Sequence, residues 1–264
     1  HLEILSDTAL KVEDLSGDIG FKVSGRGELH LSILIETLRR EGYEFQVSRP
    51  QVIIKEENGV KEEPYEELTI EVDESSQGKV IEALGFRKGE LLNMEQDQGL
   101  VKLTYKIPTR GLLGFRSEFM TATKGMGVMN YIFDGYGPYV GPLKTRKNGV
   151  LVSKETAPTI AFSLFNLQER GKLFLGPGEN VYEGQIIGEN SREEDMVVNP
   201  AKSKKLTNMR ASGSDDSIML TPPKILSLEQ CMSFIDDSEL VECTPKSIRL
   251  RKIILSESNR KQSR

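Results

Sequence analysis

Residues 67–133 read as strand, helix, strand, strand, helix, strand, and no other feature constrains the fold of this chain as tightly. Glu67 to Val72 alternates, with Leu68, Ile70 and Val72 on one face, as a half-buried strand does. Gln77 to Leu84 follows as a short helix that Gly85 and Gly89 break. Glu90 to Glu95 and Leu100 to Ile107 form a hairpin pattern across Asp97-Gln98-Gly99. Leu112, Phe115, Phe119 and Ala122 stand at helical spacing before Gly125, and Met126 to Phe133 closes the series as a strand. This β-α-β-β-α-β order is that of a ferredoxin-like split βαβ unit.

The preceding stretch shows only the last four of those six elements. Ala9 to Glu13 alternates imperfectly, Ser16-Gly17-Asp18 marks a turn, and Phe21 to Val23 is a second short strand. Leu31, Leu34, Ile35 and Leu38 fall at i, i+3, i+4 and i+7, which predicts one apolar helical stripe. Glu28 suits the positive end of that helix, Arg39 and Arg40 its negative end, and Gly42 its stop. Tyr43 to Val47 then alternates as a strand, and Val52-Ile53-Ile54 continues extended past Pro50. His1 to Leu5 reads as the tail of a missing first helix. The expectation is a truncated ferredoxin-like domain over 1–63 and a complete one over 64–143, divided near Asn58-Gly59 and Pro64. The repeat is one of architecture, without residue-level self-similarity.

After Gly141-Pro142 the texture changes, and 144–264 reads as a third, mainly β domain. Gly149 to Ser153, Thr159 to Ser163, Asn180 to Ile187 and Ser247 to Ile254 look like strands, with turns at Gly171, Gly176, Gly178 and Gly184. One good helix is expected over Ser227 to Phe234, where Ser227 and Gln230 make a capping-box pattern. Residues 191–217 have little apolar content and no periodicity, which predicts a long surface loop. The fold class is therefore α+β: a truncated ferredoxin-like domain, a complete βαββαβ domain, and a mostly-β C-terminal domain with one or two helices and a long basic loop.

At 264 residues, 37% of them hydrophobic, the chain is long enough to bury a core without staples. Cys231 and Cys243 lack C-x-x-C spacing, which excludes a disulfide framework and a cysteine zinc site and fits a reducing, cytoplasmic setting. No window approaches the ~18 apolar residues of a membrane span. There is no signal-peptide pattern and position 1 is not Met, so the chain is expected to begin inside a longer protein. Nothing in the sequence demands more than a monomer.

Net charge is −5, yet it is unevenly spread. Residues 201–264 hold 12 Lys and Arg against 8 Asp and Glu, whereas 1–200 hold 23 against 32. Lys202 to Arg210 carries four cations and no acid, and Thr244 to Arg264 carries seven cations against Glu257 alone. Clustered cations attract polyanions such as RNA phosphates, though isolated Lys and Arg are usually plain solvated surface. The stretch Lys202-Ser203-Lys204-Lys205-Leu206-Thr207-Asn208-Met209-Arg210 adds hydroxyl and amide donors and lacks a hydrophobic face. It suits backbone or shape recognition of RNA; without aromatic platforms it does not suit base-specific reading of single strands.

Catalytic chemistry finds no footing. His30, near a helix start, has no nucleophile elbow to serve, and His1 is terminal. No His, Cys, Asp or Glu set has metal-ligand spacing, so no metal site is expected. Gly25-Arg26-Gly27 opens a dinucleotide fingerprint, but its third glycine is His30, which leaves a tight strand-to-helix turn as the better reading. A G-x-x-x-x-G-K-[ST] loop and an N-K-x-D motif are both missing, so this chain has no cofactor site and is not itself an enzyme. Arg110-Gly111-Leu112-Leu113-Gly114-Phe115-Arg116 sets two arginines and two glycines at a helix start. It reads as helix-packing surface, or as a docking edge built on Arg110 and Arg116.

Three motifs carry a resemblance. Val23-Ser24-Gly25-Arg26-Gly27-Glu28-Leu29-His30-Leu31, with Leu38-Arg39-Arg40-Glu41-Gly42, resembles the third domain of translational GTPases. Arg110 to Phe119 resembles the fifth domain of the BipA/TypA branch, and Lys204 to Gly213 with Arg170 to Phe174 resembles that family's own C-terminal domain. The likeness spans essentially the whole chain, which looks like the C-terminal half of such a protein without its GTPase domain. Elongation factor G has an extra domain where this chain has only a short connection, and LepA differs in its Gly-Glu-Leu-His-Leu equivalent and its last domain.

The resemblance implies docking in the inter-subunit factor site of the ribosome, contacts with rRNA and A-site tRNA, and a role in large-subunit assembly or translation under stress. It implies that both ribosomal subunits are partners, and that GTP and Mg belong to the missing GTPase domain. Carried over, it nominates Lys202, Lys204, Lys205, Asn208 and Arg210 for RNA binding, with Arg249 and Arg251 in support. The alternatives are a fragment of a LepA-like or elongation-factor-like protein, and a protein-interaction scaffold that uses exposed sheet faces.

Overall fold

The computed structural model describes residues 9–15, 20–144, 146–203 and 219–262. These fall into two compact units, one built from both ends of the chain (up to Arg49 and from Arg146 onward), the other from Pro50–Thr145.

The first segment opens with an antiparallel hairpin, β1 (Lys11–Asp14) on β2 (Phe21–Ser24). Helix α1 (Glu28–Arg40) follows, with Glu28 in its first turn and Arg39 and Arg40 in its last, as the helix dipole favours. Gly25 is small for a reason, since a Cβ there would lie 3.1 Å from the Leu31 side chain. Strand β3 (Phe45–Ser48) does not rejoin the hairpin. It pairs with a strand some two hundred residues on, with Phe45 opposite Cys243 and Val47 opposite Val241.

The second unit contains β4 (Lys55–Glu57), β5 (Val60–Asp73), α2 (Glu74–Phe86), β6 (Glu90–Asp97), β7 (Leu100–Pro108), α3 (Thr109–Leu112), α4 (Phe115–Ala122) and β8 (Val128–Pro138). Neighbouring strands run β6-β7-β5-β8, all antiparallel, the ferredoxin-like arrangement expected. Asp73 caps α2 by accepting from the Ser76 amide at 3.2 Å. Gln98 and Gly99, both at positive φ, turn β6 into β7. Leu68, Ile70, Leu84, Leu103, Phe115 and Phe119 form the core between sheet and helices. On the sheet's other face Glu67, Glu71 and Lys102 are exposed, so the central strands present charge rather than an apolar patch. The strand expected to end at Phe133 extends to Pro138, past a bulge at Asp134.

The rest of the first unit contains β9 (Val150–Ser153), β10 (Ala157–Pro158), α5 (Ala161–Leu167), β11 (Gly171–Leu173), β12 (Asn180–Val181), β13 (Gln185–Asn190), β14 (Met196–Val198), α6 (Leu228–Phe234), β15 (Glu239–Cys243), β16 (Ile248–Lys252) and α7 (Glu257–Gln262). Its main sheet runs β14-β9-β13-β16-β15-β3, with β11 also on β13; among the described residues only β14 and β9 are parallel. Helix α6 has the expected capping box and packs beside α1, where Ile35, Met232, Ile235 and Val241 share one core.

Three expectations are corrected here. Thr159 to Ser163 is not a strand: α5 begins at Ala161, because Leu164 and Leu167 bury at helical spacing behind Pro158. Asn180 to Ile187 is two strands, broken at Gly184, where φ is +87° and a Cβ would lie 2.6 Å from the Leu255 backbone. The stretch read as a loop from 191 holds β14, three residues long, too short for periodicity to reveal. No helix among the described residues is long and apolar enough to cross a membrane.

Candidate nucleic-acid interface

The basic stretch leaves and rejoins the fold at two feet fixed to α5 and its end. At the first foot Ser163 Oγ donates to the Asn199 carbonyl at 2.6 Å and the Ile160 amide to the Pro200 carbonyl at 2.9 Å. Asn199 Oδ1 accepts from the Ala201 amide at 2.9 Å, which turns the chain outward into exposed Lys202 and Ser203. At the second foot Gln168 donates to the Met219 carbonyl at 3.2 Å and accepts from the Thr221 amide at 2.9 Å. Beyond it, the Lys224 amide donates to the Leu173 carbonyl at 2.8 Å. Lys204, Lys205, Asn208 and Arg210 lie outside the described residues.

Arg249 and Arg251 occupy one face of β16 and are half-buried among near neighbours. Arg249 lies 3.4 Å from Glu242, directly across the sheet, and Glu242 also accepts from the Tyr182 hydroxyl at 2.7 Å. Burial, and the bond to Glu242, raise the Tyr182 pKa. Arg251 donates to the carbonyls of Lys252 and Ile253 at 3.1 and 3.3 Å. Among the described residues no ion pair or hydrogen bond joins either arginine to Lys202.

At the end of β14 away from the first foot lies an ionic cluster that the sequence analysis does not single out. Arg146 forks onto Glu239 at 2.6 and 2.7 Å and reaches Asp236 at 3.2 Å, while its guanidinium stacks over Phe234. Lys252, only 4% exposed, bridges Asp195 and Glu239, each at 2.6 Å. Asp195, immediately before β14, also accepts from the Val150 amide at 2.9 Å. Burial works against the Asp236 carboxylate, yet hydrogen bonds from Ser238 and the charges of Lys252 and Arg146 hold its pKa below the ordinary value. Three carboxylates thus fix two cations at the start of β14. A signal was available: Glu239 and Lys252 stand in phase with the buried Val241, Cys243 and Leu250, on the inward face of their strands.

The candidate docking edge is divided. Arg110 pairs with the fully buried Glu63, donates to the Gly141 carbonyl at 2.6 Å and stacks over Tyr139. Arg116 is exposed. Gly111 admits the Arg87 carbonyl, which would lie 2.8 Å from a Cβ, and Gly114 breaks α3 from α4 at φ +70°.

Reactive groups do not converge. A cavity of about 600 Å³ runs beside the cluster, but its Asp195 and Lys252 are already committed to each other. Burial raises the Cys231 thiol to about 12 and the Cys243 thiol to about 11, far from a neutral-pH nucleophile. The Arg26 amide donates to His30 Nδ1 at 3.3 Å, a use of the imidazole inside the strand-to-helix turn. Among the described residues no group of three or more His, Cys, Asp or Glu is placed to hold a metal.

Residues 60–147 match the family described as the elongation factor G C-terminus, and residues 148–257 match the TypA/BipA C-terminal domain. Fold and match together define the chain as an elongation factor G-type C-terminal domain followed by a TypA/BipA C-terminal domain. The large ribosomal subunit assembly factor BipA of Salmonella typhimurium is 55% identical over 263 residues, which are 99% of this chain and 43% of that protein. The same factor of Escherichia coli K12 is also 55% identical, and that of Buchnera aphidicola 51%, over the same shares. The chain belongs to the BipA/TypA family and corresponds to its C-terminal part. It spans less than half the length of these relatives.

Proposed function

We propose that this chain is the ribosome- and RNA-binding region of a BipA-type translational GTPase, with the stretch from Lys202 to Arg210 as its principal RNA contact. The observation that carries the reading is the pair of feet: a helix and a sheet hold both ends of a segment that opens with four cations and no acid from Lys202 to Arg210. In this reading Lys202, Lys204, Lys205, Asn208 and Arg210 contact phosphates of rRNA and A-site tRNA. Arg249 supports them, since its side chain is 38% exposed beside Glu242, and Arg251 does so from the same strand face. Arg116 supplies the docking edge, with Arg110 holding it from within.

Residues 1–63, 64–143 and 144–264 are then the third, fifth and family-specific domains of the longer protein, which docks in the inter-subunit factor site and contacts both subunits in the cytoplasm. GTP and Mg bind in the GTPase domain outside this chain. The role is large-subunit assembly or translation under stress, supported by the name of the relatives as large-subunit assembly factors.

The test is sedimentation of the chain with ribosomes across a salt series, beside a Lys204→Ala, Lys205→Ala, Arg210→Ala variant. Each phosphate contact adds roughly −0.7 to −0.9 to the slope of log K against log salt, so the variant should lose about 2 to 3 of that slope. Its melting temperature should stay unchanged. Undiminished, equally salt-sensitive binding by the variant would sink the assignment of the stretch.

A further inference from the structure

The outer strands of the β6-β7-β5-β8 sheet are guarded differently. Strand β6 carries Glu90, Glu95 and Asp97 among its eight residues. Strand β8 pairs only with β5 among the described residues, and its other edge is bare. Its first six residues, Val128-Met129-Asn130-Tyr131-Ile132-Phe133, hold no charge, no proline and no glycine. Soluble proteins blunt their edge strands with such residues, because a bare edge pairs with any strand it meets. Tyr131, Ile132 and Phe133 are each more than half exposed. Cross-strand register sets Tyr131 opposite Leu68, Phe133 opposite Glu66 and Tyr136 opposite Pro64, on the side of the sheet that carries the helices. Val128 and Ile132 stand opposite Glu71 and Glu67 on the other side. The Phe133 and Tyr136 rings meet edge to face at 5.8 Å, and Lys55 Nζ lies 3.7 Å from the centre of the Tyr136 ring. This aromatic row therefore already holds one cation. Behind it, β5 carries Glu62, Glu63, Glu66, Glu67, Glu71 and Asp73 against Lys61 alone. Glu66 is buried and accepts from Thr109 Oγ1 at 3.0 Å, with no cation paired to it among the described residues. Over Pro50–Thr145 as a whole, 15 Asp and Glu face 11 Lys and Arg.

We propose that β8 is a docking strand for an extended segment of another protein, one in which arginine or lysine alternates with apolar residues. The segment adds to the bare edge and continues the ladder, and its alternate side chains fall on the two sides of the sheet. On the helix side its cations lie over Tyr131 and Phe133, as Lys55 lies over Tyr136. On the other side its apolar residues cover Val128 and Ile132. Charge selects this occupant over two others. A nucleic acid would bring phosphates against Glu67 and Glu71, and a second copy of this acidic unit would bring like charge to like. The site lies in Pro50–Thr145 and binds protein, so it stands whether or not Lys202 to Arg210 contacts RNA.

The test titrates the full chain with a dye-labelled nine-residue peptide of alternating arginine and valine, followed by anisotropy and by amide hydrogen exchange. In an antiparallel ladder alternate amides point to each side, so those of Val128–Phe133 not donated to β5 should exchange at least tenfold more slowly with the peptide bound. A peptide of the same composition, with its arginines and valines in two separate blocks, should bind roughly tenfold more weakly, and one of alternating glutamate and valine more weakly still. Tyr131→Ala with Phe133→Ala should weaken the alternating peptide roughly tenfold, the scale of two lost cation–π contacts. Glu67→Lys with Glu71→Lys, on the opposite side of the sheet, should do the same by charge. Unchanged amide protection in β7 shows that each variant is folded; should the aromatic variant lose it, the charge variant decides alone. Equal binding of the block peptide, protection outside β8, or undiminished binding by a folded variant overturns the proposal. So does displacement of the peptide by a nine-nucleotide oligouridylate that protects the same amides, which would make the edge an RNA site. Concentration-dependent protection of β8 in the chain alone would make a second copy the occupant and would overturn it equally.

Discussion

The two compact units bury charge in different ways. In Pro50–Thr145 one carboxylate, Glu63, is fully buried against one guanidinium, Arg110, with the Val140 amide at 2.8 Å as its further donor. The composite unit instead buries a linked set in which Glu239 serves Arg146 and Lys252 at once, and Asp195 and Asp236 share the same cations. A single pair pins one corner of a fold whose core is already contiguous. The linked set ties together segments from residues 146, 195, 236–239 and 252, and does so where no local sequence would hold them. Buried ion pairs are weak evidence of net stability, but removing one partner leaves the other as an uncompensated buried charge.

The largest effect should therefore come from Glu239→Ala. It removes the one fully buried carboxylate that both Arg146 and Lys252 bond, leaving the more exposed Asp195 and Asp236 to serve two cations, and the expected loss is about 4 kcal/mol, within the range for breaking a buried pair. Urea denaturation followed by thiol labelling reads it directly, because Cys231 and Cys243 lie in the same unit and are held unreactive by burial. Labelling should begin at much lower urea, while amide protection in β5 and β7 stays unchanged. Equal loss of protection in both units would show that they unfold as one, and the contrast drawn above would fail.

Arg110→Ala should cost less, about 3 kcal/mol, and should be confined to the other unit. Glu63 keeps the Val140 amide as a donor, so it is not wholly abandoned. Amide exchange in β5 and β8 should accelerate, with thiol labelling of Cys231 and Cys243 unaltered. If ribosome sedimentation of this variant also falls while that of Arg116→Ala does not, the docking edge acts through the buried arginine's support of its surroundings.

The same contrast explains what the sequence made legible. The second unit closes within Pro50–Thr145, and although β5 pairs with the distant β8, each of its elements is marked by its own residues: Leu68, Ile70 and Val72 alternate, and Phe115 and Phe119 sit one helical turn apart. The composite unit depends on pairings that no local window contains. Ser32 meets Met232 and Ser233 donates to Glu28 at 2.8 Å, across some two hundred residues. That is why β3 joining β15, and β14 joining β9 in parallel, escaped the reading. Lys202 and the feet of the basic stretch were legible in part, since charge is a local property. The bonds of Gln168 and Ser163 that fix those feet were not, because they join residues distant in sequence through side chains that any loop might carry.

The smallest expected effect sharpens the comparison from the exposed side. Arg39 and Arg40 both donate to Glu36 on the surface of α1, at 2.8 Å through their Nε atoms, and their hydrogen bonds hold its pKa down to about 2. Arg39 also reaches the carbonyl of Pro245 at 3.1 Å, so the pair braces α1 against the end of β15. A carboxylate whose pKa is depressed on folding stabilises the protein at pH above its unfolded value, near 4.3, and that contribution is lost as pH falls toward 2. Glu36 is 28% exposed at its side chain and Arg40 76%, so solvent screens the attraction. Glu36→Gln should accordingly cost only about 1 kcal/mol at pH 7 and less in high salt. The two proteins should draw together in stability as pH falls to about 2, where half of the folded wild-type carboxylate is protonated. Urea midpoints measured at intervals from pH 7 to pH 2 decide this. A variant penalty that persists undiminished at the acid end would mean that Glu36 acts by packing or hydrogen bonding alone, and that charge at the surface of this unit, unlike charge in its interior, contributes nothing.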